Sequence, residues 1–406
     1  MLIPTKLRKE IACFSGCCIE LNGIPTIFYT SVKSIPDILF GTKVRIAIPS
    51  NSNLQNNELI DWEIIENRTI TKENLNKDLE IRHWRDPFVW KNQETNKFHL
   101  ILGGVHPKTH RPIVLLYASE NTIEWSFLSI LYEGDPNECI SYECPAYFRI
   151  DGKDVLILSN YNGVIYLIGV IKENKFVSEY KGLLDHCPDY YATTKMNGTR
   201  DRIILWTWLK EGAKKYWKGC LSLPRELVGI KQNRLLFQPI NEISALMDDA
   251  QSDKSFKQLE NGSYILYDSD FGKDLLDFIV SFMDDQKVLE IRFIPKHVKP
   301  KKQLKYTKKI LFDFTEKQIS IDHTIKKMNL NDNLQIFNFR IFIDGSKVEI
   351  FLEKTDSICF SLPIVSKRLS LMIELSPIVS SHSFTLENFK RIPMKPLEYT
   401  FHPQFS

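Results

Sequence analysis

The chain has 406 residues, 43% of them hydrophobic, 25% charged and 12% aromatic, and its 53 Lys and Arg against 50 Asp and Glu leave a formal charge of +3. This is the composition of a globular chain long enough for two domains; it excludes disorder, collagen and coiled coil, and no apolar run reaches the roughly 18 residues that a membrane-spanning helix needs. A charge so near balance gives no electrostatic footprint for nucleic acid, so neither a nucleic-acid nor a membrane partner is expected. The opening residues, MLIPTKLRKE, lack the apolar stretch of a secretory signal. They predict a cytoplasmic chain as it stands, and a secreted one if a preceding segment carries a leader. Eight cysteines are spread along the chain without a C-x-x-C pair, and the expectation is free thiols, no metal and no cofactor.

In chain order, the first strong signal is Asn22-Gly23 between CCIEL and IPTIFYTSV, a pair suited to the positive φ of a two-residue hairpin turn. The strings FVW from Phe88 and FHLIL from Phe98 make a further strand pair. The turn grammar returns at Asp151-Gly152, between AYFRI and KDVLILSNY, and at Asn162-Gly163, before VIYLIGVI. RIILWTWL, from Arg202 to Leu209, is dense in β-forming residues. Only Glu242 to Met247 and Lys273 to Phe278 read as helical. Past them lie a basic loop, KHVKPKKQLKYTKK from Lys296 to Lys309, and a hairpin at Asp344-Gly345 between FNFRIFI and SKVEIFLE.

The aromatic-rich hairpins before residue 240 fall into groups of roughly 45–50 residues: Ile11 to Asn67, Arg82 to Gly134, Glu143 to Gly182, and Asp189 to Ile240. Each reads as one blade of a β-propeller. The alternating strands beyond read as a sandwich. The expected organisation is therefore a propeller-type domain over residues 1–240 and a β-sandwich over 241–406.

Three polar clusters precede apolar strands: Trp84-Arg85-Asp86-Pro87, Tyr142-Glu143-Cys144-Pro145 and Asp189-Tyr190-Tyr191-Ala192. The innermost strands of propeller blades converge on a central channel, so acids at corresponding points of different blades can meet. A pocket of carboxylates and aromatic rings suits a sugar, the acids for proton transfer and the rings for its apolar face.

The strings around these clusters resemble glycoside hydrolase family 32, the invertases and fructan hydrolases. HWRDPFVW resembles the family's Arg-Asp-Pro motif and YECPAYF its Glu-Cys motif. CFSGCCIEL is similar to its Phe-Ser-Gly segment, with Cys17 where a small Ser is usual, PDYYATTK to its Asp-aromatic-Tyr-Ala block, and WKGCLSLPREL to a blade-closing run. FRIFIDGSKVEIFL resembles the signature of its second domain, with Gly345 at the usual Arg position. The resemblance implies a five-bladed β-propeller, here with the first blade missing or incomplete, followed by a β-sandwich. It also implies retaining hydrolysis of a terminal fructosyl bond in sucrose or a fructan. Under it, Glu143 is the general acid/base and Asp86 the transition-state stabiliser. Arg85 binds and tunes the acid by an ion pair, and Phe14, Ser15 and Asp189 shape the sugar pocket. The family's nucleophile is an Asp in a Trp-Met-Asn-Asp-Pro-Asn-Gly motif, and no such string occurs in the 406 residues. Two readings follow: a hydrolase whose nucleophile-bearing segment is absent from the chain, or a carbohydrate-binding homologue without catalysis.

Overall fold

The computed structural model describes residues 10–395 except 41, 51–58, 60, 73–79, 197–201, 214–217, 271, 297, 322–323, 331–333, 363–369 and 379–382. Asn22 and Gly23 take φ of 53° and 80° and set Leu21 opposite Ile24, closing the hairpin of β1 (Ala12–Leu21) and β2 (Ile24–Val32). With β3 (Lys43–Pro49), β4 (Trp62–Ile64) and β5 (Ile70–Thr71) they form a sheet of order β1-β2-β3-β4, with β5 on β3. The next group is a four-stranded meander, β6 (Arg82–Lys91), β7 (Phe98–Val105), β8 (Pro112–Ser119) and β9 (Ser126–Glu133). A second meander follows: β10 (Glu143–Ile150), β11 (Lys153–Ser159), β12 (Val164–Lys172) and β13 (Lys175–Leu183). The fourth sheet runs β14 (Tyr190–Met196), β15 (Ile203–Ala213), β17 (Arg225–Lys231), β18 (Arg234–Pro239), with β16 (Lys218–Leu221) on β15. Each of the four hairpin groups read from the sequence thus falls in its own sheet.

The turns follow their residues in detail. Asp151 and Gly152, at φ 50° and 74°, make the same two-residue connection as Asn22-Gly23. The Asn162-Gly163 hairpin is longer, because Asn160 donates to the Gly163 carbonyl and the loop spans four residues between Ser159 and Val164. At the later hairpin Asp344 stays in its strand opposite Lys347, so the turn is Gly345-Ser346, one residue beyond the pair read from the sequence. Two further tight turns carry no glycine: Glu173-Asn174 and Gln232-Asn233 both hold positive φ.

The chain folds into two compact units. One comprises Met1–Leu184, Tyr190–Trp208 and Glu226–Leu235; the other comprises Asp185–Asp189, Leu209–Arg225 and Leu236–Ser406. The last crossover between the units falls between Leu235 and Leu236, and two earlier segments, Asp185–Asp189 and Leu209–Arg225, belong to the second unit.

That second unit contains the short β19 (Lys257–Gln258), then β20 (Tyr264–Asp270), β21 (Lys273–Phe282), β22 (Val288–Pro295), β23 (Lys308–Asp313), β24 (Gln318–Ile321) and β25 (Thr324–Lys327). It continues with β26 (Ile336–Asp344), β27 (Lys347–Leu352), β28 (Asp356–Ser361), β29 (Ser370–Pro377) and β30 (Phe384–Pro393). Seven strands order as β19-β20-β29-β22-β23-β24-β25 and five as β28-β27-β26-β21-β30. Their inner faces enclose a core rich in Phe, with Phe314 stacked on Phe337 at 3.9 Å between ring centroids. Lys273 to Phe278, read from the sequence as helical, are instead the start of β21. That strand is hydrogen-bonded on both edges, to β26 and β30, and its ladder overrides a weak local preference. Asn241–Leu246 forms a 3-10 turn close to the other expected helical window. Inside the basic loop Pro300–Tyr306 is helical, with Pro300 at the first turn, where its missing N–H costs nothing.

Within this unit Arg225 is fully buried. It donates to Asp185 at 2.8 Å and Ser357 at 2.6 Å, and its guanidinium lies over the rings of Phe237 and Phe351. Asp185 also accepts from the N–H groups of Cys187 and Cys359.

In the first unit several glycines are fixed by close approach, and one of them stands next to the strand that carries Glu143. Gly103 pairs with Arg85 across β6 and β7, and a Cβ built on it would stand 2.0 Å from the Tyr142 carbonyl oxygen. Gly103→Ala therefore displaces the backbone that leads into Glu143. The expected loss is about 1–3 kcal/mol of stability, read as a lower urea midpoint with an unchanged slope.

Candidate active site

Three strands that open successive sheets, β6, β10 and β14, share one irregularity. Asp86, Cys144 and Ala192 hold φ of 63°, 46° and 55°. The ladder registers of β6 and β10 slip across Asp86 and Cys144, as bulges do. Each N–H finds a side chain on another strand: Asp86 donates to Thr30 Oγ1 at 2.8 Å, Cys144 to Asp86 Oδ2 at 3.0 Å, and Ala192 to Ser159 Oγ at 3.0 Å. The residue before each is Arg85, Glu143 or Tyr191, and these three side chains meet.

Glu143 is the hub. Its Oε1 accepts from Arg85 and, at 3.1 Å, from the Tyr161 hydroxyl; its Oε2 accepts from Tyr191. Arg85 is buried and also donates to the Ile38 carbonyl at 3.2 Å and to Tyr161 at 3.3 Å. Behind Tyr161 the Ser141 hydroxyl lies 3.2 Å away, and Ser141 is in turn 3.4 Å from His83 Nδ1. Burial, then the charge of Arg85, holds the His83 imidazole below its usual range.

Asp86 is 5% exposed. Burial first, then the charge of Glu143, pushes its carboxyl up from 3.8 to about 6, against the opposing pull of the Cys144 N–H and Arg85. The Cys144 thiol, raised by burial and by Asp86, stays protonated and structural. A cavity of about 150 Å³ opens here, lined among others by Ser15, Asp86, Cys144 and Ala192. Larger spaces lie elsewhere in the same unit, an apolar groove of about 640 Å³ and a cavity of about 1250 Å³. Volume does not mark the site, since neither larger space is lined by Glu143 or Asp86. The ion pair of Glu143 with Arg85, beside the buried Asp86 carboxyl, does.

The family model for the glycosyl hydrolases family 32 N-terminal domain matches residues 1–239. The chain belongs to glycoside hydrolase family 32. Sucrose-6-phosphate hydrolase of Zymomonas mobilis is 26% identical over 279 residues, covering 60% of this chain and 51% of that protein. The Bacillus subtilis enzyme of the same name is 29% identical over 191 residues, or 40% of this chain and 39% of its own. The chain thus spans about half the length, or less, of these relatives. Among solved structures, a Bombyx mori family 32 β-fructofuranosidase superposes with a TM-score of 0.72 at 19% identity, over 97% of this chain and 81% of the other. The Lactobacillus gasseri sucrose-6-phosphate hydrolase gives 0.71 at 19% identity, over 95% and 78%. The all-β architecture of this family, a propeller followed by a sandwich, is the fold of the chain.

Of the residues named from the sequence, Arg85, Asp86 and Glu143 come together, and Ser15 lines the same small cavity. Phe14, half-buried in β1, lines the apolar groove instead, with Tyr29, Met196 and Trp206. Asp189 is exposed and falls in the second unit. Cys17, at the unusual position, is buried, and its sulfur accepts from the Val89 N–H at 3.2 Å. Sequence reasoning did not name Thr30, His83, Ser141 or Tyr161. The one available signal was an aromatic residue inside a turn string, Asn160-Tyr161-Asn162-Gly163.

A carboxyl raised on folding stabilises the protein fully below its unfolded value of 3.8, and the contribution disappears as pH rises through about 6. That displacement corresponds to roughly 3 kcal/mol. Urea unfolding should show wild type losing more stability than Asp86→Asn between pH 4 and pH 7. Equal losses would place the buried carboxyl outside the pH dependence.

Proposed function

We propose that this chain carries the acid/base and stabilising groups of a retaining fructosyl hydrolase, directed at a terminal β-fructofuranosidic bond of sucrose or a fructan. The observation that carries the reading is the meeting of Glu143, Arg85 and Asp86 at the starts of two neighbouring sheets. Family membership supports it, as do relatives named sucrose-6-phosphate hydrolase and a neighbour solved with sucrose.

In this reading Glu143 gives its proton to the glycosidic oxygen as the bond to the anomeric carbon breaks, and later takes one from the incoming water. Arg85, Tyr161 and Tyr191 hold the carboxyl in one orientation through both steps. Asp86, ionised, lies against the positive charge that develops on the sugar ring and accepts from its hydroxyls.

Retention needs a second carboxylate about 5–5.5 Å from the first to attack the anomeric carbon. The motif that supplies it in the family is absent from the 406 residues. That absence favours a second reading for the chain by itself, a sugar-binding protein without turnover.

Both readings predict that the 406-residue chain releases no detectable fructose from sucrose. Calorimetry with sucrose and a short fructan should nonetheless give saturable heat, weakened when Asp86 is replaced by Ala. Fructose release that disappears in Glu143→Gln would show that an attacking group is present after all.

A further inference from the structure

The cavity of about 1250 Å³ in the first unit takes no part in the cluster around Glu143. It is lined by the second and third sheets and by Lys195, Met196 and Ile203 of the fourth. Trp90, near the end of β6, and Tyr147, in β10, meet there with ring centroids 4.4 Å apart and an interplanar angle of 32°. His99 stands edge-on to the same indole at 5.2 Å. Both Trp90 and Tyr147 keep part of their surface uncovered.

Of the polar groups beside these rings, Asp154 is held by burial and hydrogen bonds, and Arg149 and Glu94 form an exposed ion pair. Asp154 is 7% exposed and accepts from the Tyr147 hydroxyl at 2.7 Å and the Ile171 N–H at 2.6 Å. Arg149 reaches across from the third sheet to Glu94 of the second at 2.6 Å and lies 3.5 Å from Asp154. Asn92 and Lys172 complete the rim.

The lining selects among ligand classes by its own chemistry. An apolar ligand would strip water from Glu94, Asp154 and Arg149 with nothing in exchange. A cation would face Lys91, Lys97, Arg149, Lys172, Lys195 and Arg202; an anion would face Glu94, Asp154 and Glu173, and it would compete with the acids that already pair Lys97, Arg149 and Arg202. A neutral polyhydroxylated ligand donates and accepts at every hydroxyl, so it satisfies acids and bases alike while its C–H face lies on the rings.

We propose that this cavity is a second carbohydrate site, one that binds a neutral oligosaccharide against the uncovered surface of the Trp90–Tyr147 pair, with the Arg149, Glu94 and Asp154 groups beside it. It is independent of the reading given to Glu143. A polymer held there raises the local concentration of its own chain beside the protein, so a second weak contact strengthens attachment without altering the chemistry at the first.

The test uses the full chain, isotope-labelled, titrated with a short inulin-type oligosaccharide and separately with a maltooligosaccharide. The Trp90 indole resonance, assigned by Trp90→Phe, is followed in wild type and in Arg149→Ala. Arg149 is a half-exposed residue whose loss leaves the sheets intact, and circular dichroism checks this. The expected result is a saturable shift of the Trp90 signal with at least one oligosaccharide, weakened about tenfold in Arg149→Ala. The same shift in Asp86→Ala would separate this site from the first. A Trp90 signal unmoved by both sugars, or one that moves equally in Arg149→Ala, would overturn the proposal whatever happens at Glu143.

Discussion

Asp86, Cys144 and Ala192 each hold a left-handed backbone that costs an L-residue of order 1–3 kcal/mol, and each is tied by its N–H to a side chain on another strand. On a regular strand, consecutive side chains point to opposite faces. The extra residue of a bulge breaks that alternation, so Arg85 and Asp86 can both address one centre, one through Glu143 and the other through the Cys144 N–H. Because the bond from Cys144 ends on the Asp86 carboxylate itself, the strain in one sheet is held by the functional group of its neighbour. The site and the packing of the sheets are therefore the same set of contacts.

Two buried guanidinium clusters show what separates a site from a staple. Arg225 is fully enclosed among Asp185, Ser357, Phe237 and Phe351 in the second unit. Removing one partner there would leave an uncompensated buried charge, which typically costs about 3–5 kcal/mol, and a group so enclosed meets no ligand. Arg85 is buried to a similar degree, but the Glu143 it holds keeps 16% of its side chain exposed. Low dielectric strengthens every bond in both networks. Only the one that reaches an opening can place that strength against a substrate.

Much of the fold was legible because its turns are spelled in residues that tolerate positive φ. Asn22-Gly23 and Asp151-Gly152 close hairpins as their composition predicts, and the four hairpin groups become four sheets. Glu173-Asn174 and Gln232-Asn233 make the same kind of turn without glycine, and their strings carry no comparable signal. Lys273 to Phe278 carries no local mark of its true state; the partners on both edges of β21 decide it, and those partners lie far downstream in the chain. In the site, Arg85, Asp86 and Glu143 were readable through their motifs. Tyr161, Ser141 and His83 were not, because their chain of contacts depends on how two separate loops and the start of β6 are brought together by the sheets. Asp189, grouped with the pocket on sequence, belongs to the second unit, where the Arg225 cluster holds the segment Asp185–Asp189.

In the proposed reading, the preference of the small pocket for a sugar would follow from its electrostatics whether or not a bond is broken there. Asp86 sits where burial and the Glu143 charge both oppose its ionisation. A ligand that enters beside it displaces water and deepens that opposition, unless the ligand brings hydrogen-bond donors of its own. Sugar hydroxyls do, and they restore the charged form; an apolar ligand of equal size would leave Asp86 protonated and Glu143 relieved of a neighbouring charge. Binding of a polyhydroxylated ligand and ionisation of Asp86 are therefore linked, each favouring the other.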